Sequence, residues 1–275
     1  METSPTTDVA KEEILADAEG LKVAMDGVYA TMYNRLDFVA ANAHQCFGNM
    51  AVTLAADLMG DDMVQTAQGA GWFWKDYNYD QRSRYTSKIW RCYFTWKYFY
   101  EIISNVNYII SASETATGDE NEILCTTAQA YAARAFSYFM LIQSFQQTFV
   151  GHEDLPGVPI YTEPTSASST GNKRASVRQV YALIDNDLEI AVAMFGKCGI
   201  KRKHISNFDL YSTSLLQARV ALVENDWGKA VQAAEKAIST PDASLLTRSD
   251  ATVTKGTFDD STTEWTTGKT PFNSV

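Results

Sequence analysis

Residues 174–191 read RASVRQVYALIDNDLEIA, and this stretch contains both the start signal and the apolar period of a helix. Ser176 and Gln179 have the spacing of a capping box. In that motif each side chain satisfies a backbone N–H that the first helical turn leaves without a partner. We therefore predict a helix that begins near Val177 and continues to about Phe195.

Further helices are predicted on both sides, because apolar residues recur there every three or four positions. Tyr93, Trp96 and Tyr100, for example, belong to one stripe that is predicted to face the core. The segments with this period are residues 16–34, a segment ending at Gly60, residues 89–110, 122–149, 212–223 and 227–239. Residues 68–85 and 151–170 are rich in glycine, proline or aromatics without a period, which predicts loops.

The last two predicted helices partly fit the tetratricopeptide pattern. Ala218 takes the small position of the first helix, and Ala230 and Ala237 keep the seven-residue spacing of the second. The large positions are not kept, since Ser214 and Ala221 stand where Trp and Tyr are typical. The pattern indicates a degenerate repeat, in which neighbouring helix pairs stack to bury what one pair cannot.

These elements predict a mainly α fold, built as an alpha-alpha superhelix of degenerate tetratricopeptide-like helix pairs with long irregular loops. Residues 123–240 are predicted as the tetratricopeptide-like helical core, and the polar residues 1–15 as a flexible leader. Hydrophobic residues make up 45% of the 275 positions, which is enough for a sizeable core. We expect residues 1–275 to form a single domain.

The acidic balance of the chain excludes one class of partner. The formal net charge is -10 and the isoelectric point is about 4.8, so a phosphate backbone is repelled. Nucleic acid is therefore not an expected partner. No apolar run reaches the roughly 18 residues that suggest a membrane span, and no signal peptide is recognisable. Either the protein is cytosolic or a targeting segment has been removed.

Cysteines and histidines offer no metal or nucleophile motif. The four cysteines stand far apart, without a C-x-x-C pair: Cys46, Cys92, Cys125 and Cys198. Buried thiols are favoured over disulfides here, although the pattern leaves both open. The histidines lie in three different segments: His44, His152 and His204. We expect no metal site, no cofactor and no catalytic residue, since nucleotide-binding glycine motifs are also absent from the sequence.

Two pairs of neighbouring aspartates resemble the paired carboxylates of a glycosidase. Asp61 with Asp62, or Asp76 with Asp80, supplies two carboxylates close together in sequence. A glycosidase needs them on opposite sides of a cleft with one pKa raised, and sequence proximity does not provide that. Solvated acidic turns are the favoured interpretation, and the protein is not expected to be an enzyme.

Arg134 lies in the middle of a helical segment of small and aromatic residues. A buried guanidinium needs a partner of opposite charge. The capped helix supplies two candidates, Asp185 and Asp187. We predict an ion pair with one of them and assign it to architecture rather than function.

The phrase at residues 174–191 resembles the R-x-S-V-x-x-V-Y-x-x-I-x-x-D-L-x-x-A signature of SusD/RagB proteins. Four more segments resemble family phrases in the same order: residues 24–29, 90–109, 132–139 followed by 158–160, and 226–230. Two departures are an insertion at residues 152–157 and a length well below that of family members. The resemblance implies a single SusD-like domain that is truncated relative to the full family length.

The resemblance also implies a function and partners. SusD-like proteins bind an oligosaccharide or another nutrient at the outer-membrane surface and deliver it to a SusC-like TonB-dependent transporter, without catalysis. A lipid anchor, absent from this chain, would hold the full-length precursor at the cell surface. The alternative is a tetratricopeptide-type scaffold that binds proteins and no glycan.

A loop rich in aromatic residues is the candidate glycan site. Sugars present flat C–H faces ringed by hydroxyls, so a binder needs exposed rings beside amides and carboxylates. The residues with that composition are Trp72, Trp74, Asp76, Tyr77, Asn78 and Tyr79. Two interpretations stay open: the rings stack on sugar, or they fold inward and anchor the loop.

Overall fold

The structure is a computed structural model that describes residues 13–61, 63–80, 90–166, 168–239, 256–257 and 264–265. The predicted leader at residues 1–15 lies largely outside the described residues. The chain divides into two compact units, Met1–Ala237 and Ile238–Val275. In the second unit, strands β3 (Gly256–Thr257) and β4 (Glu264–Trp265) pair antiparallel.

Within the described residues the fold is mainly helical, as predicted. The eight α-helices are α1 (Ala18–Tyr33), α2 (Gly48–Leu58), α3 (Trp74–Tyr77), α4 (Trp90–Ser113), α5 (Glu120–Phe145), α6 (Val177–Cys198), α7 (Leu210–Val223) and α8 (Trp227–Ile238). A 3-10 segment, Asp37–Gln45, joins α1 to α2. Strands β1 (Pro156–Pro159) and β2 (Arg174–Ser176) form a short antiparallel pair directly before α6.

The capping box at the start of α6 is confirmed. The hydroxyl oxygen of Ser176 accepts a hydrogen bond from the Gln179 N–H at 3.2 Å, and the Gln179 side chain accepts one from the Ser176 N–H at 2.9 Å. The helix ends at Gly199, whose φ of 65° lies in the left-handed region that glycine tolerates best. Both ends of α6 therefore follow from local sequence signals.

Small residues allow α5 to pack closely against its neighbours α4 and α6. Five alanines of α5 are buried: Ala128, Ala130, Ala132, Ala133 and Ala135. A short side chain lets two helix backbones approach each other, and the larger side chains of the facing helices fill the remaining space. These three helices form the centre of the first unit.

The buried face of α4 differs in its first turns from the predicted stripe. Tyr93 is 49% exposed, whereas Phe94 and Tyr98 are fully buried. Trp96 and Tyr100 are half-buried and pack at the edge of the core. The prediction for Tyr93 was wrong because aromatic residues occur on all sides of this helix, so the apolar period does not select one face there.

The last helix pair keeps the packing logic of a tetratricopeptide repeat. Ser214, Ala218 and Ala221 of α7 are buried, as are Ala230 and Ala237 of α8. Ser214 and Ala221 are thus small, buried residues at positions where the consensus has larger ones.

Arg134 resolves the choice that the sequence left open. Its guanidinium forms an ion pair with Asp187, with an N–O distance of 2.7 Å. Asp185, the other candidate, is instead paired with Lys229 of α8. The predicted ion pair between α5 and α6 is confirmed, and the partner is Asp187.

Candidate functional site

The aromatic loop, residues 68–80, follows α2 in the chain and contains the short helix α3. Two aromatic residues on either side of α3 adopt left-handed backbone angles, Phe73 with φ 55° and Tyr79 with φ 60°. This conformation costs of the order of 1 to 3 kcal/mol in a residue with a side chain. The surrounding contacts must therefore stabilise the path of the loop.

A buried ion pair provides the strongest of these contacts. Arg91, at the start of α4, donates from Nε and Nη2 to the two carboxylate oxygens of Asp76, each at 3.1 Å. The Asp76 side chain is 0% exposed and that of Arg91 is 6% exposed. Both oxygens of Asp76 therefore bind the guanidinium, in the bidentate geometry that is strongest for this pair.

Gln45 ties the same pair to the 3-10 segment. Its backbone carbonyl accepts a hydrogen bond from Arg91 Nη1 at 2.9 Å, and its side-chain oxygen accepts one from the Phe73 N–H at 2.7 Å. The guanidinium of Arg91 also lies 4.2 Å from the ring centre of Trp90 and 4.9 Å from that of Phe73. Phe73 and Asp76 of the loop are thus hydrogen-bonded to the 3-10 segment and to α4, respectively. Arg91 in turn joins these two elements to each other.

Two rings of the predicted site lie on the surface above this anchor. Trp72 is 52% exposed, with its ring centre 5.1 Å from that of His44. Tyr79 is 48% exposed, and its hydroxyl donates to the carbonyl of Met59. Each ring is held at one edge while much of its surface faces solvent. This is the arrangement that stacking on a sugar requires.

The other predicted residues divide between the surface and the interior. Trp74 and Tyr77 are half-buried, with ring centres 5.8 Å apart, and Tyr77 packs against the core. Asn78 is exposed, but its amide donates to the Trp74 carbonyl at 2.8 Å. Asp76 was predicted as a surface contact, whereas the structure places its carboxylate beneath the loop.

Sequence reasoning missed the residues that hold the loop. Neither Arg91 nor Gln45 belongs to a sequence motif, and His44 is expected from the sequence to have an ordinary rather than a catalytic role. One signal for Arg91 was its place at the start of a strongly aromatic helix, where an isolated arginine needs a carboxylate if it is buried. No comparable signal identifies Gln45, because it lies 46 residues from Arg91.

A cavity of about 330 Å³ adjoins the anchor. Its walls include Asp76 and Arg91 themselves, together with Asp57, Gln143 and Arg219. The cavity therefore combines charged and amide groups with the apolar flanks of α2 and α5. Such a mixture suits a polar ligand that also has apolar faces.

Neither a metal cluster nor a membrane span is found in the described part of the chain. No three His, Cys, Asp or Glu side chains among the described residues are grouped closely enough to hold a metal ion. None of the helices in that part has the length and apolar character needed to cross a bilayer.

Comparison with protein families gives one match over most of the chain. The family model described as "Starch-binding associating with outer membrane", SusD-like, matches residues 9–203. A curated relative, SusD-like protein P2 of Formosa agariphila, is 25% identical over 239 residues. That alignment covers 87% of this chain and 43% of the relative.

Solved structures show the same fold. A SusD-like carbohydrate binding protein from Bacteroides vulgatus superposes with a TM-score of 0.72 at 22% identity, covering 86% of this chain and 47% of the other. A laminarin binding SusD-like protein superposes with a TM-score of 0.57 at 21% identity, covering 82% and 44%. The chain thus spans less than half the length of these relatives.

Proposed function

This chain belongs to the SusD-like family, and we propose on that basis that it binds an oligosaccharide without catalysis at the outer-membrane surface. In this proposal the bound glycan passes to a SusC-like TonB-dependent transporter. The full-length precursor would carry the lipid anchor that holds it at the cell surface. No covalent step is proposed, so the bound sugar is released unchanged.

The family and its relatives support the binding part of the proposal. The description of the family model names starch binding and the outer membrane. One structural neighbour is named for laminarin, a different glucan, so the fold alone does not select a single ligand. Starch oligosaccharides and laminarin are therefore the first two ligands to test.

One observation carries the assignment of the site: Trp72 and Tyr79 expose their rings on a loop that a buried ion pair holds in place. A sugar that stacks on a ring removes apolar C–H surface from water. A loop that is already ordered loses little conformational entropy on binding, so more of the contact energy appears as affinity. The exposed rings and the anchoring ion pair together favour this loop as the glycan-binding site.

The six predicted site residues take different parts in this proposal. Trp72 and Tyr79 are the stacking surfaces, and Asn78 and Trp74 contribute the rim between them. Tyr77 and Asp76 support the loop from below. The proposed contact surface is therefore narrower than the set of residues predicted from the sequence.

A substitution of Trp72 tests the site directly. We expect Trp72→Ala to weaken binding of the recognised glycan by roughly tenfold or more in isothermal titration calorimetry, as for a central aromatic anchor. Trp227→Ala is the matched control, because Trp227 is 61% exposed but lies on α8. Equal affinity of Trp72→Ala and the wild type would contradict the assignment.

The transporter part of the proposal needs a separate experiment. We expect the full-length lipoprotein to co-purify with a SusC-like transporter from detergent-extracted outer membranes. A protein found only in the periplasmic fraction would contradict the proposed location. Reducing-end release from the same glycans tests the non-catalytic part, since sustained turnover would identify an enzyme.

Exposed apolar residues on the last two helices favour a second candidate function, a protein-binding scaffold. Leu215 and Leu222 of α7, and Trp227 and Val231 of α8, are each between 44% and 61% exposed. Apolar residues at helical spacing on a repeat are typical of partner-binding faces. A glycan array that gives no signal, combined with saturable binding of a defined peptide, would favour the scaffold over glycan capture.

A further inference from the structure

Two cysteines from different helices meet in a small cluster of their own. Cys125 lies on α5 and Cys198 is the last residue of α6; both are at least 94% buried. Their cluster is separate from the main core and is completed by Ala128, Ala132, Ala191 and Phe195. The small alanine side chains let the two helices approach each other here.

The two thiols are neighbours in this six-residue cluster. Burial raises the pKa of the Cys125 thiol to about 12, and the neighbouring Cys198 side chain adds to the rise. The Cys198 sulfur also donates weakly to the Phe195 carbonyl at 3.8 Å. The other two cysteines lie elsewhere, Cys46 in the main core and Cys92 exposed on α4.

We propose that Cys125 and Cys198 form an oxidation site, where a disulfide links α5 to the carboxyl end of α6 once the protein enters an oxidising compartment. The pairing rests on the position of the two side chains in one small cluster between α5 and α6. Only the supply of oxidant rests on the proposed location, because disulfides persist at cell surfaces and in the periplasm. Glycan binding plays no part in it.

The chemistry is a thiol–disulfide exchange with a small or protein disulfide, R–S–S–R, as the oxidant. One cysteine thiolate attacks a sulfur of R–S–S–R, which forms a mixed disulfide and releases R–SH after proton uptake. The second cysteine then attacks the protein sulfur of that mixed disulfide and releases the second R–SH. The protein loses two electrons and two protons, and the oxidant gains them.

Access and rate follow from the surroundings of Cys125. It lines a cavity of about 90 Å³ together with the exposed Lys201 and Lys203, so this is the side from which an oxidant would approach the thiol. Exchange requires the thiolate, which is scarce when burial raises the pKa. Oxidation of the folded protein is therefore expected over hours rather than seconds.

The link would close a loop of about 70 residues that contains the whole connector between α5 and α6. Such a link removes conformations from the unfolded chain. For a unit of this size the thermal midpoint is expected to rise by roughly 5 to 10 °C on oxidation.

Peptide mapping tests the proposal. The purified wild-type protein is incubated overnight with oxidised glutathione, blocked with N-ethylmaleimide in denaturant and digested with trypsin. Trypsin releases Cys198 in a short peptide, because Lys197 and Lys201 flank it. We expect this peptide to be joined to the one containing Cys125, and blocked thiols to fall from four to two per chain.

Three variants serve as controls. Cys92→Ser should keep the linked peptide, whereas Cys125→Ser and Cys198→Ser should lose it together with the rise in thermal midpoint. If a serine variant does not fold, the peptide map of the oxidised wild-type protein still tests the proposed disulfide. Four blocked thiols after oxidation, or a link that involves Cys46 or Cys92 instead, would overturn the proposal, whatever the result of the glycan titrations.

Discussion

Arg134 of α5 donates two hydrogen bonds to Asp187 of α6, at 2.7 Å to Oδ2 and 2.8 Å to Oδ1. The two side chains are 5% and 0% exposed. Arg134 Nη1 also donates to Asn107 of α4 at 2.9 Å and to the Thr162 carbonyl of the connector at 3.3 Å. One guanidinium therefore joins three helices and the connector.

The first prediction concerns this pair. Asp187→Asn leaves the Arg134 charge buried without a counter-charge, and we expect the free energy of unfolding to fall by about 3 to 5 kcal/mol in urea titrations. Asp154→Asn is the control, since Asp154 pairs with Arg178 on the surface and should change stability by less than about 1 kcal/mol. A loss below 1 kcal/mol for Asp187→Asn would show that the pair is not needed.

The partner of Arg134 illustrates what a sequence predicts well. The start of α6 follows from a motif four residues long, Ser176 to Gln179, and a buried arginine implies a carboxylate on a facing helix. The choice between Asp185 and Asp187 depends on the rotation of α6 about its axis, because residues two apart point in nearly opposite directions. That rotation is set by packing of the whole unit.

The candidate site shows the same limit of prediction from sequence, because its long-range contacts are set by the packing of the whole unit. Composition points to the aromatic loop, since aromatic residues interleaved with polar ones are a local property of the sequence. It did not identify the anchor, because Gln45 lies 28 residues from Phe73 and Arg91 lies 15 residues from Asp76. Contacts over such separations depend on tertiary structure, so the exposed and buried residues of the loop could not be told apart.

The second prediction concerns the anchor and rests on the proposed function. Asp76→Asn removes the counter-charge of Arg91 and should loosen the loop, so we expect glycan affinity to fall about tenfold and Trp72 emission to shift to the red. Far-ultraviolet circular dichroism should remain that of the wild type. Asp61→Asn, an exposed change before the loop, is the control. Unchanged affinity in Asp76→Asn would limit the pair to a structural role.

The third prediction compares two buried tyrosines. The buried Tyr98 hydroxyl has no hydrogen-bond partner among the residues that the structure describes. The hydroxyl of Tyr138, in contrast, accepts from the Tyr161 N–H at 2.7 Å and donates to the Tyr161 carbonyl at 3.0 Å. Tyr98→Phe removes an unsatisfied polar group and should leave stability unchanged or raise it by about 1 kcal/mol. Tyr138→Phe should lower it by about 1 to 2 kcal/mol. The opposite order in thermal or urea unfolding would refute this account.

The fourth prediction rests on a carboxyl group at the end of α7. Glu224 is the C-cap residue of that helix, and its side chain is 13% exposed. Burial raises its pKa to about 7, with the neighbouring Asp185 adding to the rise and Lys229 opposing it. The folded protein therefore holds a proton on Glu224 at pH values where the unfolded chain has lost it.

Stability should consequently fall as the pH rises through this interval. Below about pH 4.5 the group is protonated in both states, and between 4.5 and 7 only the folded state keeps the proton, so its contribution is lost by pH 7. We expect Glu224→Gln to remove about 2 kcal/mol of this pH dependence in urea titrations at pH 5 and pH 8. Glu235→Gln, an exposed change on α8, should leave the profile as it is. Parallel profiles for the wild type and Glu224→Gln would mean that Glu224 keeps an ordinary pKa, because a titrating group with a raised folded-state pKa must make the two curves diverge.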